Sequence, residues 1–490
     1  MTSMPTALVV PKHQDLFYGG AWHKPQKGDY QTSQNPATGE ALGKFAMASA
    51  SDVDQAVSAG ADAFKTWRDL PPLERARSLR GMAEVIRKNA AELAMLDSAD
   101  GGNPVTEMGR DAQVAAASFD FFAGLVTEMK GSSIPMGPDA VNFSVREPWG
   151  VVARIVAFNH PFMFTAQKAA APLAAGNAVL MKPPEQAPLS ALRLAELSEG
   201  VLPCGVLGII TGGREAGEAL ASHDKVAMVT LIGSVPTGRA VAAAAARTLK
   251  PVLLELGGKN ALIAYGDADP RKVADAVLRG MNFTWCGQSC GSTSRAFLHD
   301  AIHDEVVDLI REKVAAYRPG IPTNPATTMG AIISSAQHDK VMSYIAIGKE
   351  EGATLLCGGG RPADPSLAAG HFIEPTVFTD VRQTMRIARE EIFGPVLSVL
   401  RWNDESEMLR EVNSVEYGLT CSIWTQRLST AHRIASAVEA GFVWVNETGK
   451  HFAGVPFGGY KQSGIGREES IEELLAFTQL KNIHINLKAG

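Results

Sequence analysis

Between Gly150 and Gly258 short apolar runs alternate with helical segments: "GVVARIVAF", "PFMFTAQKAAAPLAAG", "NAVLMKP", "PLSALRLAELSEG", "VLGIITG", "REAGEALASH", "VAMVTLIGS", "GRAVAAAAARTL" and "PVLLELGG". A strand that is apolar along its whole length must be covered on both faces, and a helix between successive strands supplies that cover. The pattern predicts an α/β fold with a doubly wound, Rossmann-type parallel sheet. Such sheets bind ligands beyond the carboxyl ends of their strands, which directs attention to Asn159, Lys182, Gly233 and Gly257.

The regions on either side differ. From Ser51 to about Lys130 apolar residues recur at three- and four-residue spacing, as in "SDVDQAVSAGADAFKTW" and "PPLERARSLRGMAEVIRKNAAELAML", with Ser51, Pro71 and Pro72 as helix-start signals. A second α/β region begins near Asn260 and continues through "EEIFGPVLSVL", "TCSIWTQ" and "GFVWVNE". The cleft between the two α/β regions is the default site for chemistry.

Composition excludes several classes. The 490 residues carry a net charge of −6 with the basic residues dispersed, which argues against a nucleic-acid partner. No apolar run is long enough to cross a bilayer, and the opening "MTSMPTALVVPKHQ" lacks the features of a signal peptide. Five cysteines form too sparse and odd a set for a secreted disulfide framework, so a reducing, cytoplasmic setting is expected.

Two of those cysteines, Cys286 and Cys290, lie in "FTWCGQSCGSTSR". A zinc site would require a second pair of ligands at suitable spacing, which the chain lacks, and the compartment disfavours a structural disulfide. A single nucleophilic thiol remains, and it needs a base, an oxyanion hole and an acceptor for the leaving electrons. "GSVPTG" (Gly233 to Gly238) follows an apolar strand and opens a helix, so its N–H groups and the Ser234 hydroxyl suit a phosphate; a plain strand-to-helix turn fits the spacing equally. Lys182 and Glu185 in "MKPPEQAPLS" read either as a solvated loop or as a ribose-binding carboxylate with its neighbour.

Five further segments converge on a family. "AFNHP" (Ala157 to Pro161), "LELGGKN" (Leu254 to Asn260), "GQSC" (Gly287 to Cys290), "EEIFGP" (Glu390 to Pro395) and "PFGGYKQSGIGRE" (Pro456 to Glu468) resemble, in order, the signatures of the NAD(P)-dependent aldehyde dehydrogenase superfamily. The resemblance spans the chain from about residue 15 onward. It implies Cys290 as nucleophile, with Cys286 a bystander, Glu255 as the base for water, Asn159 as oxyanion donor and Lys168 as a residue tuning the thiol or ordering water.

It also implies NAD as cofactor, with NADP disfavoured by the Glu185 carboxylate. Adenosine and pyrophosphate contacts fall on Lys182, Glu185, Gly213, Gly217, Gly233 and Ser234. The strand-end residues Ile155, Val156 and Phe158 are placed beside the cofactor, as are Leu256 and Gly257; Glu391 matches the carboxylate that holds the nicotinamide ribose, and Phe393 packs by that ring. No metal is expected.

The chain departs from the common pattern at Phe158, where many members carry tryptophan, and at Gln167, where some carry an aromatic. The expected substrate lining is Phe162, Phe164, Trp285, Ser289, His451 and Phe452, which favours an aromatic or medium-length aldehyde. Each of these also reads as core packing. Glu468 matches a second proton-relaying carboxylate in some members and reads equally as a salt-bridged surface residue. Cys286, if one helical turn before Cys290, would pair with it under oxidation.

The alternatives within the superfamily are an NADP-linked semialdehyde dehydrogenase and a coenzyme A-acylating enzyme; outside catalysis the alternative is a silent structural homologue. The expected units are an NAD-binding domain over 1–127 and 149–256, a catalytic domain over 257–455, and an oligomerisation element over 128–148 and 470–490. That element implies a homo-oligomer, dimer or tetramer.

Overall fold

The computed structural model describes residues 8–488; residues 1–7 and 489–490, at the outer ends of the expected first and third units, lie outside it. Four helices form the N-terminal layer, Ala50–Trp67, Pro72–Lys88, Ala90–Gly101 and Val105–Gly124. The first starts one residue after Ser49, which forms a capping box with Asp52, so the cap falls two residues before the expected Ser51. Pro72 occupies the first helical position of the second, where its missing N–H costs nothing.

The first sheet has five parallel strands in the order Leu207–Ile209, Ala178–Lys182, Val151–Ile155, Val226–Ile232, Val252–Glu255. Its edges depart from the expected parallel pattern. Leu16–Tyr18 and Ala21–His23 extend one side antiparallel, and Gly464–Ile465 caps the other by pairing with Leu254 and Glu255. Segments far apart in the chain thus close both edges, which leaves fewer unpaired backbone groups.

A second, seven-stranded sheet runs Thr354–Cys357, Thr376–Thr379, Val396–Trp402, Arg295–His299, Ala261–Ala264, Thr420–Trp424, Phe442–Val445, parallel except at its first pair. A third sheet is antiparallel. In it Thr478–Asn486 pairs along its whole length with Ala140–Pro148, which also pairs with Ser133–Ile134. Apolar cores lie on both faces of the two large sheets. No helix among the described residues is long and apolar enough to cross a membrane.

Candidate active site

The helix Pro161–Ala174 follows the strand Val151–Ile155 and presents one face to a cavity of about 520 Å³. At 100° per residue, His160, Met163, Phe164, Gln167 and Lys168 share that face, and all five line the cavity. Phe162 falls on the opposite face and is packed into the core, only 1 % exposed. Met163 therefore takes the lining position expected of Phe162, a consequence of helical phase that a run of apolar residues hides.

The cysteine segment reaches the cavity by another route. After the helix Pro270–Gly280 the chain makes a single 3₁₀ turn, Phe283–Trp285, flanked by Asn282 and Cys286 in the left-handed region at φ 55° and 53°. Cys286 is consequently not a helical turn below Cys290. Its thiol is fully buried in the apolar core of the second sheet, away from the cavity wall, whereas Cys290 is half-buried at that wall; both thiols are free. Gly287, also left-handed at φ 64°, lies so close to the Gly394 carbonyl that no side chain fits there.

Cys290 and Glu255, the last residue of the strand Val252–Glu255, come together at the cavity wall. Burial pushes the Glu255 carboxyl up to about 8, with the nearby charge of Glu468 adding to the shift. One of its oxygens, Oε1, has no hydrogen-bond partner among the described residues. Burial likewise pushes the Cys290 thiol well above its ordinary value, and the Glu255 charge reinforces this. The pair rests as a neutral thiol against a carboxyl that titrates near neutrality.

Glu468 is a buried member of this wall rather than a surface residue. Its Oε1 accepts from Arg154 Nη2 at 2.7 Å and its Oε2 from Lys168 Nζ at 2.8 Å; Arg154 Nη1 also donates to Glu473 at 3.0 Å. Burial alone would discourage the Lys168 ammonium, but Glu468, Glu473 and Glu469 outweigh it and hold its pKa above the ordinary lysine value. Arg154, Glu473 and Met163 were not singled out from the sequence. Arg154 offers the one signal that could have flagged it, a charged residue inside the strand "GVVARIVAF" that must find a buried partner.

Asn159 precedes this helix and is 2 % exposed; Asn103 Nδ2 donates to its carbonyl at 2.9 Å. Trp285, Ser289, His451 and Phe452 all line the cavity, together with Phe121, Phe122, Trp444 and Phe457. Phe452 is 53 % exposed, so it belongs to the mouth. His451 faces Glu469 at 3.3 Å, and His160 contacts Asp111 at 2.7 Å.

The expected cofactor residues gather along the ends of the first sheet. Ser234 caps the helix Val235–Ala246, its hydroxyl accepting from Thr237 N–H at 3.4 Å, and the Gly233 N–H donates to the Glu255 carbonyl at 3.0 Å. Lys182 Nζ donates to the Pro183 carbonyl at 3.1 Å, and burial lowers the Lys182 pKa to about 8. A Cβ on Gly213 would come within 2.5 Å of Glu185 Oε2, and one on Gly217 within 3.7 Å of Lys182 Cδ with Ile155 beside it. Val156 donates its N–H to the Lys182 carbonyl at 3.1 Å. Leu256 packs into the core against Gly238.

At the other end of the groove Glu391 Oε1 accepts from the Gly258 N–H at 2.9 Å, and a side chain on Gly257 would displace that carboxylate. Phe158 and Phe393 meet edge to face, centroids 5.6 Å apart. Carboxylates near each end with a helix N-terminus between them form a donor set that fits a dinucleotide with two ribose diols and a diphosphate. Among the described residues no cluster of three or more His, Cys, Asp or Glu is placed to hold a metal ion.

The family model described as "Aldehyde dehydrogenase family" matches residues 22–483. Aldehyde dehydrogenase tropH of Talaromyces stipitatus is 53% identical over 491 residues, covering 99% of this chain and 95% of that protein. Among solved structures, an NAD+ complex of an aldehyde dehydrogenase from Bacillus cereus is 36% identical with a TM-score of 0.94, covering 97% of each chain. P. syringae AldA, an indole-3-acetaldehyde dehydrogenase in complex with NAD+ and IAA, is 35% identical with a TM-score of 0.95, covering 98% of this chain and 97% of that one. Fold and site define an oxidoreductase that acts on aldehydes with a nicotinamide cofactor. The chain belongs to the aldehyde dehydrogenase family.

Proposed function

We propose that this protein oxidises an aromatic or medium-length aldehyde to its carboxylic acid with NAD, through a covalent adduct on Cys290. The observation that carries the reading is the convergence of the Cys290 thiol and the Glu255 carboxyl on the wall of a largely aromatic cavity. Glu255 takes the thiol proton as sulfur attacks the carbonyl carbon, giving a thiohemiacetal whose oxygen carries the charge. The Asn159 amide and the Cys290 N–H stabilise that oxygen. A nicotinamide held beside Glu391 and Phe393 would supply the hydride acceptor that lets the Cys290 adduct become a thioester. Once Glu255 has passed the thiol proton to solvent it removes a proton from water as the water attacks the thioester, and the Cys290 thiolate leaves; the Lys168–Glu468 ion pair borders the same wall.

Glu185 beside Gly213 supports NAD over NADP, because a carboxylate there accepts from ribose hydroxyls and repels a 2′-phosphate. Phe121, Phe122, Phe164, Trp285, Trp444 and Phe457 support a flat substrate, as does the likeness to an indole-3-acetaldehyde dehydrogenase. The first large sheet with its helical layer serves as the cofactor domain and the second as the catalytic domain. The third sheet pairs with a second copy: one edge of Thr478–Asn486 is unpaired among the described residues, and Leu480, Ile485 and Leu487 beside it are exposed. The free cysteines support a cytoplasmic setting.

The deciding assay follows NADH formation against short aliphatic, long aliphatic, aromatic and carboxylated aldehydes, with NADP and Cys290→Ala as controls. NAD-dependent turnover lost in the variant upholds the reading. Turnover that survives in Cys290→Ala, or that needs coenzyme A, overturns it.

A further inference from the structure

Taking Cys290 as nucleophile and Asn159 as oxyanion donor, the two must keep a fixed spacing although they hang from different sheets. Asn159 follows the strand Val151–Ile155 of the first, and Cys290 precedes the strand Arg295–His299 of the second. We infer that Asn103 and Gln288 are positioning residues at the two ends of a buried hydrogen-bonded strap that sets this spacing and so completes the oxyanion hole.

The strap can be followed bond by bond. Asn103 Nδ2 donates to the Asn159 carbonyl at 2.9 Å. One residue earlier, the Gly102 carbonyl accepts from Ala331 N–H at 2.9 Å. Two residues beyond Ala331, the Ile333 N–H donates to Gln288 Oε1 at 3.2 Å, and Gln288 is two residues before Cys290. Asn103 and Gln288 are each 1 % exposed, so water does not compete for these bonds.

Two glycines make the crossing possible. Gly102, left-handed at φ 84°, would carry a Cβ 2.8 Å from the Ala331 carbonyl oxygen, and a side chain on Gly330 would collide with the Gly102 carbonyl. On the far side of Asn159, both Asp97 carboxylate oxygens accept from the Phe162 N–H at 3.2 Å. The turn bearing Asn159 is therefore held before and after by the helix Ala90–Gly101 and the residue that follows its left-handed cap.

Misplacement of a reacting group by about 1 Å can cost on the order of 100-fold in rate. Asn103→Ala is therefore expected to lower kcat by roughly 10- to 100-fold with KM little changed. Combined with Asn159→Ala, it should add little, because a strap acting through Asn159 has nothing left to position. Gln288→Leu should lower kcat similarly, while Gln288→Glu, which keeps an acceptor for Ile333, should recover much of it.

A folded Asn103→Ala enzyme with wild-type kcat overturns the strap, as does an equal loss in the presence and absence of the Asn159 amide. If Asn103→Ala does not fold, the Gln288 pair decides alone, and equal kcat in Leu and Glu variants rejects it. Full activity in Asn159→Ala breaks the catalytic reading itself and takes the strap with it. A strap that fails while Asn159→Ala still lowers kcat leaves that reading standing.

Discussion

Glu255 and Glu468 line the same cavity and are equally hidden from water, 4 % and 2 % exposed. They differ in company. Glu468 is held between Arg154 and Lys168, whereas Glu255 makes no ion pair and its Oε1 has no hydrogen-bond partner among the described residues. Ion pairs thus tie one carboxylate to its neighbours and leave the other free to exchange a proton. The lesson is that a buried acid is read through its partners, not its exposure.

The sharpest way to break this contrast is to remove the thiol. Cys290→Ala should abolish aldehyde oxidation by at least about 10⁴-fold, the scale seen when a covalent nucleophile is deleted, while NADH binding followed by fluorescence is retained. Glu255→Gln should reduce turnover by roughly 10²- to 10⁴-fold, measured as steady-state NADH formation, because thiol deprotonation and water attack both lose their base. Glu468→Ala should act first on stability. It leaves Arg154 and Lys168 with one fewer buried counter-charge, a loss of about 3–5 kcal/mol measurable by denaturant titration. If Glu468→Ala instead lowers kcat at unchanged stability, the anion is part of the proton path and the contrast fails.

The pH profile sharpens the same comparison with a smaller effect. A base must be ionised, and the Glu255 carboxyl lies raised near 8, so it is mostly protonated at pH 7. The rate of thioester hydrolysis should therefore rise by up to about tenfold per pH unit below that value and level off above it. A profile flat from pH 6 to 9 in single-turnover assays would remove Glu255 as the titrating base. The smallest expected change is Phe452→Ala at the exposed mouth, a shift in preference among aromatic aldehydes of a few-fold, read from relative kcat/KM.

The sequence carried these two acids unequally. Glu255 ends an apolar strand just before a glycine pair, a local pattern that announces a sheet end facing a ligand. The partners of Glu468 lie 314 residues away at Arg154 and 300 away at Lys168, and no local pattern encodes a contact at that separation. Phase was the other blind spot. "NHPFMFTAQK" shows an apolar helix, but only its start fixes that Met163 rather than Phe162 turns to the cavity. The parallel strands were legible because two-sided burial leaves an unbroken apolar run. The antiparallel edges at Leu16–Tyr18 and Gly464–Ile465 were not, being two or three residues long.

The ion cluster also has a consequence for synthesis. Arg154 is made early and sits inside a central strand, yet both of its carboxylates, Glu468 and Glu473, emerge more than 300 residues later. At typical elongation rates that delay is roughly 15–60 s, during which the strand holds a cation with no counter-charge to bury. The first sheet is therefore finished only after the second has been made, and the nascent chain must keep that strand hydrated or sheltered until its last segment arrives.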